Sequence, residues 1–197
     1  MTKNHRMILL VVAFSVGGAF ICLMHKQKLH AQIETIRRRV QHTMIVTSSA
    51  FSDGQRMPDK YTCSGDNVSP DISWSNVPDK TQSFALICDD PDAPAGTWVH
   101  WVIFNIPADT QHFPEAVSSD QQKLADGSCQ GINSFGNNGF GGACPPPGHG
   151  KHHYFFKVYA LDSRLDLGEQ VTKQDLETAM IGHVLATGEL MGTYSRD

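Results

Sequence analysis

The residue types best suited to chemistry in this chain are a carboxylate and an imidazole ten positions apart, Asp90 and His100. A carboxylate that accepts a hydrogen bond from one imidazole nitrogen favours the charged ring, and the other ring nitrogen can then donate to a ligand. Such a pair either clamps an anion or forms half of a catalytic triad. The structural alternative is that Asp90, which precedes Pro91, only braces its own turn.

A second group of candidates lies in the glycine- and proline-rich segment 139–154. Gly142 allows the backbone to approach a ligand closely, and the run of three prolines at 145–147 stiffens the loop into a wall. Free N–H groups beside that wall could cradle an anion. Three histidines follow at 149, 152 and 153, but a zinc site needs a further ligand and a supporting shell. We therefore expect neither a metal site nor a cofactor.

Several function classes are disfavoured by the rest of the sequence. Residues 41–197 hold nine Lys/Arg and nineteen Asp/Glu, which argues against nucleic-acid binding because phosphate neutralisation needs clustered cations. The chain has no Gly-x-Ser-x-Gly nucleophile motif, no Walker A loop and no Gly-x-Gly-x-x-Gly motif after a strand. A hydrolase that uses an Asp–His pair as general base stays open as the alternative to a binding protein.

The segments 61–65, 69–70, 89–94, 98–100, 142–154 and 192–194, taken together and in this order, resemble the phosphatidylethanolamine-binding protein family in its bacterial form. This family is also known as the Raf-kinase-inhibitor-like proteins. The resemblance covers about residues 51–194 and implies an antiparallel β-sandwich with one or two peripheral α-helices. It also implies a set of ligand-binding residues: Asp90, Asp92, His100, Gly142, Pro145, Pro146, His152 and Tyr154.

The implied activity is binding rather than catalysis. The ligand would be a small anion such as a phosphate, a phosphorylated head group or a carboxylate, held in a small, polar pocket. The implied protein partner is a kinase or a protease that the chain inhibits by docking. The sequence departs from the family pattern at His153, where the usual residue is arginine, so any salt bridge of that arginine is in doubt.

Short β-branched and aromatic segments separated by turn residues predict the strands that position these side chains. The clearest are residues 83–88, 98–106, 154–161 and 189–194. One helix is predicted late in the chain, with Thr172 as N-cap and Asp175 three residues on. Its apolar face is expected to hold Leu176, Met180 and Val184, with Ile181 beside them.

The N-terminal segment is predicted to be separate from the domain. Residues 8–24 are uncharged, mostly apolar and flanked by basic residues, which favours a signal anchor or signal peptide over residues 1–24. Residues 25–43 read as a basic polar stalk and residues 44–197 as the domain. We therefore expect attachment to the membrane through the N-terminal segment, or export to the bacterial periplasm or cell envelope. A location on the cytoplasmic face of the membrane is the alternative.

The disulfide pattern is not determined by the sequence. The body of the chain holds four cysteines, at 63, 88, 129 and 144, and four cysteines allow three complete pairings.

Overall fold

A computed structural model describes residues 24–28 and 43–197 of the 197-residue chain. The chain divides into two units, residues 1–41 and residues 42–197. Within the first unit, residues 24–28 are helical and exposed. The elements of the second unit are β1 (Ile45–Thr47), a 3-10 turn (Asp59–Tyr61), β2 (Ile72–Ser75), β3 (Ser83–Asp90), β4 (Trp98–Pro107), β5 (His112–Phe113), β6 (Cys129–Gln130), β7 (His152–Leu161), α1 (Lys173–Ala179) and β8 (Val184–Tyr194).

The strands of the second unit form two sheets. A five-stranded sheet has the order β6-β4-β3-β7-β8, and a three-stranded sheet has the order β1-β2-β5. All pairings between these strands are antiparallel. The mainly β sandwich with few helices that the sequence predicts is confirmed.

Strand β3 lies in the middle of the five-stranded sheet and is buried on both faces. All eight of its residues are buried. Phe84, Leu86 and Cys88 pack into the core between the two sheets. Ala85 and Ile87 face the other side, where Leu176 of α1 covers them. This explains why the segment reads as a continuous apolar run rather than an alternating one.

Helix α1 is shorter than the sequence predicts. Its N-terminus is as expected, since the Thr172 hydroxyl accepts from the Asp175 N–H and the Asp175 carboxylate accepts from the Thr172 N–H. The helix ends at Ala179, however, and Val184 begins β8, which starts five residues earlier than expected. Ile181 is 76% exposed, so it does not belong to the buried face of the helix.

A membrane anchor is not supported by the structure. Among residues 24–28 and 43–197, no helix is long and apolar enough to cross a membrane. Most of the predicted anchor and most of the predicted stalk lie outside the described residues. We therefore withdraw the signal anchor, the membrane association and the membrane-anchored or exported location.

One disulfide joins two loops at one end of the unit. Cys63 and Cys144 are bonded, while Cys88 is a buried free thiol and Cys129 is a partly buried one. The bond closes a loop with a sequence separation of 81 residues. On the chain-entropy model, such a loop closure stabilises the fold by about 4–5 kcal/mol.

Candidate functional site

Three polar side chains of the sequence-predicted set meet at one end of the large sheet. Asp90 ends β3, His100 lies near the start of β4, and His152 begins β7. Because β4 and β7 both pair antiparallel with β3, their first residues lie beside the last residues of β3. The three residues border a cavity of ≈ 270 Å³.

Asp90 is paired with His152, not with His100. His152 Nδ1 donates to Asp90 Oδ2 at 2.7 Å, and both side chains are almost fully buried. The second carboxylate oxygen, Oδ1, accepts from the Asp92 N–H at 2.8 Å. Asp90 therefore does both things that the sequence left open, since it braces its turn and it orients an imidazole.

The hydrogen-bonded chain continues beyond His152 to a residue on the surface. His152 Nε2 lies 2.7 Å from Nδ1 of His149, whose side chain is exposed. Because Asp90 fixes the proton of His152 on Nδ1, a neutral His152 accepts from His149 and a charged His152 donates to it. His149 thus occupies Nε2 of His152, the ring nitrogen that Asp90 does not use.

His100 differs from His152 in its partner and in its charge. Its Nδ1 donates to the carbonyl of Gly141 at 2.6 Å. Burial lowers the pKa of His100 below the usual value, so this ring is neutral at neutral pH. The remaining nitrogen, Nε2, then carries a lone pair and can accept a hydrogen bond. The lowered pKa does not favour the imidazolium donor expected at His100, and the role of His100 in ligand binding stays a prediction.

Apolar groups form most of the cavity wall. Its remaining lining residues are Ala93, Pro94, Ala95, Trp98, Phe135, Cys144, Pro145 and Pro146. The Phe135 ring packs edge-on against the rings of Trp98 and His100, with centroid distances of 5.4 Å and 5.6 Å. The cavity is small but not mainly polar, and no lysine or arginine among the described residues lines it.

Tyr154 lies behind His100, outside the set of residues that line the cavity. Its ring centroid is 5.1 Å from that of His100, and the side chain is 1% exposed. Its buried hydroxyl has no hydrogen-bond partner. Burial, and then the nearby Asp90 carboxylate, raise the pKa of Tyr154 well above its usual value. Tyr154 supports the cavity from below and is not one of the residues that line it.

Four backbone N–H groups in the segment 141–149 are already bonded within the protein, so these four do not form the predicted backbone cradle for an anion. The N–H of Gly141 donates to the His100 carbonyl, and the N–H of Gly142 donates to Asn67 Oδ1 at 2.7 Å. The N–H groups of Gly148 and His149 also donate to backbone carbonyls. Gly142 is needed for close packing, because a Cβ there would lie 2.5 Å from Asn67 Oδ1.

Comparisons with known proteins give the family. The sequence pattern described as phosphatidylethanolamine-binding protein matches residues 47–195. The chain belongs to this family. It is 51% identical over 153 residues to the UPF0098 protein of Methanothermobacter thermautotrophicus, with 78% of this chain and 99% of that protein covered.

Two solved structures of the phosphatidylethanolamine-binding protein family have a similar fold. The homologue CT736 from Chlamydia trachomatis aligns with a TM-score of 0.71 and 41% identity, covering 79% of this chain and 99% of that one. Escherichia coli YbcL aligns with a TM-score of 0.74 and 37% identity, covering 78% and 99%. The second is described as a new member of the mammalian family.

The departure from the family pattern at His153 has a local consequence. Both the backbone N–H and Nδ1 of His153 donate to Asp92 Oδ2, at 2.9 Å and 2.6 Å. This hydrogen bond lowers the pKa of Asp92 below its usual value. Asp92 is not among the cavity-lining residues, and Gly142 lines a neighbouring cavity instead. That either one binds the ligand stays a prediction.

Two residues near this cavity were not predicted as part of a binding site: His149, which bonds to His152, and Phe135, which lines the cavity. His149 was considered only as a metal ligand, and Phe135 was not considered at all. Across the described ranges no group of three or more metal-ligating side chains converges. The glycines at 148 and 150, with φ of 71° and 93°, are the local signal that the chain reverses around His149.

Proposed function

We propose that this chain is a non-catalytic binding protein whose cavity takes a small ligand with an anionic head group and a short apolar body. The observation that carries the proposal is the hydrogen-bonded chain Asp90–His152–His149, of which Asp90 and His152 line a mainly apolar cavity. The head group would be a phosphate monoester, such as a phosphorylated head group, or a carboxylate.

His152 is the group that selects for an anion. Asp90 is buried and accepts the Nδ1 proton, so it stabilises a positive charge on the ring. A charged His152 donates from Nε2, and an anionic oxygen in the place of His149 makes that bond charge-assisted. Binding of the anion then requires uptake of a proton by this ring.

His100 adds a second requirement. Because its ring is neutral and its Nδ1 proton is given to Gly141, it presents a lone pair rather than a donor. A head group that both accepts and donates satisfies both rings, and a singly protonated phosphate monoester does so. We therefore expect phosphate monoesters to bind more tightly than carboxylates.

The walls define the rest of the ligand. Trp98 and Phe135 offer ring surfaces, and Pro145 and Pro146 form a rigid side. At ≈ 270 Å³ the cavity lies below the roughly 300–1,000 Å³ of ordinary small-molecule pockets. It suits one ring or a short chain attached to the head group, and it is too small for a lipid acyl chain.

A hydrolase is the competing function, because Asp90 and His152 form a carboxylate–imidazole pair. None of the lining residues offers a hydroxyl or free thiol nucleophile, since Cys144 is held in the disulfide. We therefore propose binding without turnover. By docking on a kinase or a protease, this protein would inhibit that partner or act as its ligand sensor.

The test is a titration of the full-length protein with phenyl phosphate and benzoate at pH 8 and pH 6, followed by NMR. We expect saturable shifts of the Trp98 indole and the His152 ring. Benzoate should bind more tightly at pH 6 than at pH 8, by up to about tenfold per pH unit if one proton is taken up. Benzoate keeps its charge over this range, so its pH dependence reports on the protein alone.

The controls separate binding from catalysis. His152→Gln should abolish the pH dependence, whereas His112→Gln, at an exposed histidine on β5, should leave it unchanged. Release of phenol from phenyl phosphate, lost in His152→Gln, would establish the hydrolase instead. Absence of any shift, or equal affinity at both pH values, would contradict the proposed role of His152.

A further inference from the structure

The Cys63–Cys144 disulfide lies at the surface, although it closes a long loop. Cys63 is exposed and Cys144 is half-buried. Both cysteines line a neighbouring cavity of ≈ 440 Å³, and Cys144 also lines the cavity of Asp90 and His152. The bond is therefore within reach of a small solute in the folded protein. Cys88 differs, because this thiol is 1% exposed and belongs to the core between the sheets.

A guanidinium group lies against one of the two sulfurs. Arg196 Nη1 is 3.3 Å from Cys144 Sγ and 3.4 Å from the carbonyl oxygen of Pro145. The Arg196 carbonyl accepts from the Gly148 N–H at 3.0 Å, which holds the C-terminal segment beside the proline loop. Within residues 24–28 and 43–197, Arg196 forms no ion pair with a carboxylate. Its charge is thus directed at the sulfur and is not neutralised by an acid.

The guanidinium makes the two sulfurs unequal as leaving groups. A neighbouring cation favours the thiolate form of a cysteine, and a disulfide opens faster when the departing sulfur forms the more stable thiolate. Cys144 is the sulfur beside Arg196, so it is the better leaving group. Cys63 is exposed, so it is the sulfur that an incoming thiolate can attack. Partial exposure next to a positive charge is typical of reactive cysteines.

The loops that carry the two cysteines are also held together by hydrogen bonds. The Cys63 N–H donates to the Ala143 carbonyl at 3.1 Å. The Gly142 N–H donates to Asn67 Oδ1 at 2.7 Å. Neither hydrogen bond requires the S–S bond. They should therefore keep the two sulfurs close after reduction, so that the disulfide can form again without refolding of the domain.

We propose that the Cys63–Cys144 disulfide is a redox-active site that exchanges with an external dithiol. A thiolate of the dithiol attacks Cys63 Sγ and forms a mixed disulfide there, while the electron pair of the broken S–S bond leaves on Cys144 Sγ beside Arg196. The second thiol of the reagent then displaces Cys63 as a thiolate and closes the reagent's own disulfide. The dithiol loses two electrons and the protein gains two. The two thiol protons pass through solvent to the cysteines.

Exchange at this site changes the wall of the cavity of Asp90 and His152. Cys144 and Pro145 line that cavity, and the S–S bond ties this side of the wall to the loop that carries Cys63. Opening the bond frees this side of the wall. The exchange itself does not require that the cavity binds an anion, so it stands apart from the proposed function.

The experiment is reduction of the full-length protein by millimolar dithiothreitol at pH 7 without denaturant, stopped at several times with iodoacetamide. Mass spectrometry of the peptides identifies the alkylated cysteines. We expect Cys63 and Cys144 to be alkylated together within minutes, while Cys88 stays unmodified because the core remains closed. Alkylation of Cys63 and Cys144 only in urea, or only together with Cys88, would show a purely structural disulfide and overturn the proposal.

Variants of Arg196 test the contribution of its charge. Arg196→Gln should slow the reduction about tenfold, and Arg196→Lys should restore most of the rate because it keeps a cation. Arg164→Gln, at an exposed arginine in the loop after β7, is the matched control and should leave the rate unchanged. An unchanged rate in Arg196→Gln would overturn the proposed exchange.

A monothiol identifies the sulfur that is attacked. Glutathione can form the mixed disulfide but has no second thiol to resolve it. We expect mass spectrometry to find glutathione on Cys63, with Cys144 as the free thiol. Glutathione found mainly on Cys144 would mean that Arg196 does not stabilise the leaving sulfur, and the proposed exchange would fail.

Discussion

Two neighbouring aspartates on β3 are both buried, but one is bonded to lysines and the other to a histidine that lines the cavity. Asp89 and Asp90 are 1% and 3% exposed. Asp89 accepts from two lysines, Lys157 at 2.8 Å and Lys173 at 2.5 Å. Asp90 accepts from His152, which lines the cavity. One carboxylate thus contacts two lysines and the other a histidine.

The difference follows from where each side chain points. Asp89 lies on the side of the sheet that α1 covers, and Lys173 is the first residue of that helix. Although burial opposes the charge on Lys173, its hydrogen bond to Asp89 raises the pKa of Lys173 above the usual value. The Asp89 cluster therefore ties α1 to the sheet, whereas the Asp90 cluster borders the cavity.

The largest expected effect comes from neutralising the two aspartates separately. Asp89→Asn loses two charge-assisted hydrogen bonds, and we expect a loss of about 2–3 kcal/mol in the free energy of unfolding, with Tm roughly 5–10 °C lower. Asp90→Asn should lose less stability, about 1 kcal/mol, because the single amide oxygen can keep one of the two bonds that Asp90 accepts, from His152 or from the Asp92 N–H. Thermal unfolding of both variants measures the two changes.

Ligand affinity should show the reverse order. Asp90→Asn no longer stabilises a charged His152, so benzoate should bind about tenfold more weakly at pH 6. Asp89→Asn should bind benzoate as the unmodified protein does. Equal affinity in Asp90→Asn and the unmodified protein would contradict the role of Asp90, and a binding defect in Asp89→Asn would erase the distinction between the two carboxylates.

The strands of the large sheet could be predicted because β3, β4 and β7 carry long apolar runs. The site residues Asp90, His100 and His152 could be chosen from their types and the family resemblance. Which histidine reaches Asp90 could not, because β4 and β7 flank β3 on opposite sides and the pairing depends on register. An irregularity between Cys88 and Asp89 in the β3–β4 pairing shifts that register, and no sequence pattern predicted this irregularity.

Long-range partners account for the other omissions. The sequence does not distinguish Asp89 from Asp90, because the two lysines that bond to Asp89 lie 68 and 84 positions further along the chain. Phe135 enters the site from a loop with no motif of its own. The length of α1 was overestimated because Val184 continues the apolar spacing of the helix but pairs with Leu161 in the sheet. In each case the deciding contact is with a distant segment.

The next effect concerns the neutral histidine of the cavity. Because burial lowers the pKa of His100 in the folded state, the unfolded state binds the proton more readily as pH falls below its value of about 6.5. Stability should therefore fall from pH 7 to pH 5.5, with His100 contributing about 1 kcal/mol of that loss. His100→Asn keeps a donor for the Gly141 carbonyl and should reduce the loss by this amount.

Urea unfolding at several pH values measures the His100 contribution. The comparison is with His112→Asn, because His112 is exposed and its replacement should leave the pH dependence as it is. A stability profile for His100→Asn that parallels that of the unmodified protein would mean that His100 takes up its proton equally in both states. Its assignment as a hydrogen-bond acceptor for the ligand would then fail.

The smallest effect is expected at His149, the partner of His152 in the Asp90 cluster. His149 is exposed and holds His152 Nε2 through one hydrogen bond, a contact worth about 0.5–1.5 kcal/mol. If a ligand must displace it, His149→Ala should bind benzoate about two- to tenfold more tightly, and the free energy of unfolding should fall by about 0.5–1.5 kcal/mol. His112→Ala is the matched control. Weaker binding in His149→Ala would show instead that His149 contacts the ligand, and the Asp90 cluster would then extend to the surface as part of the site.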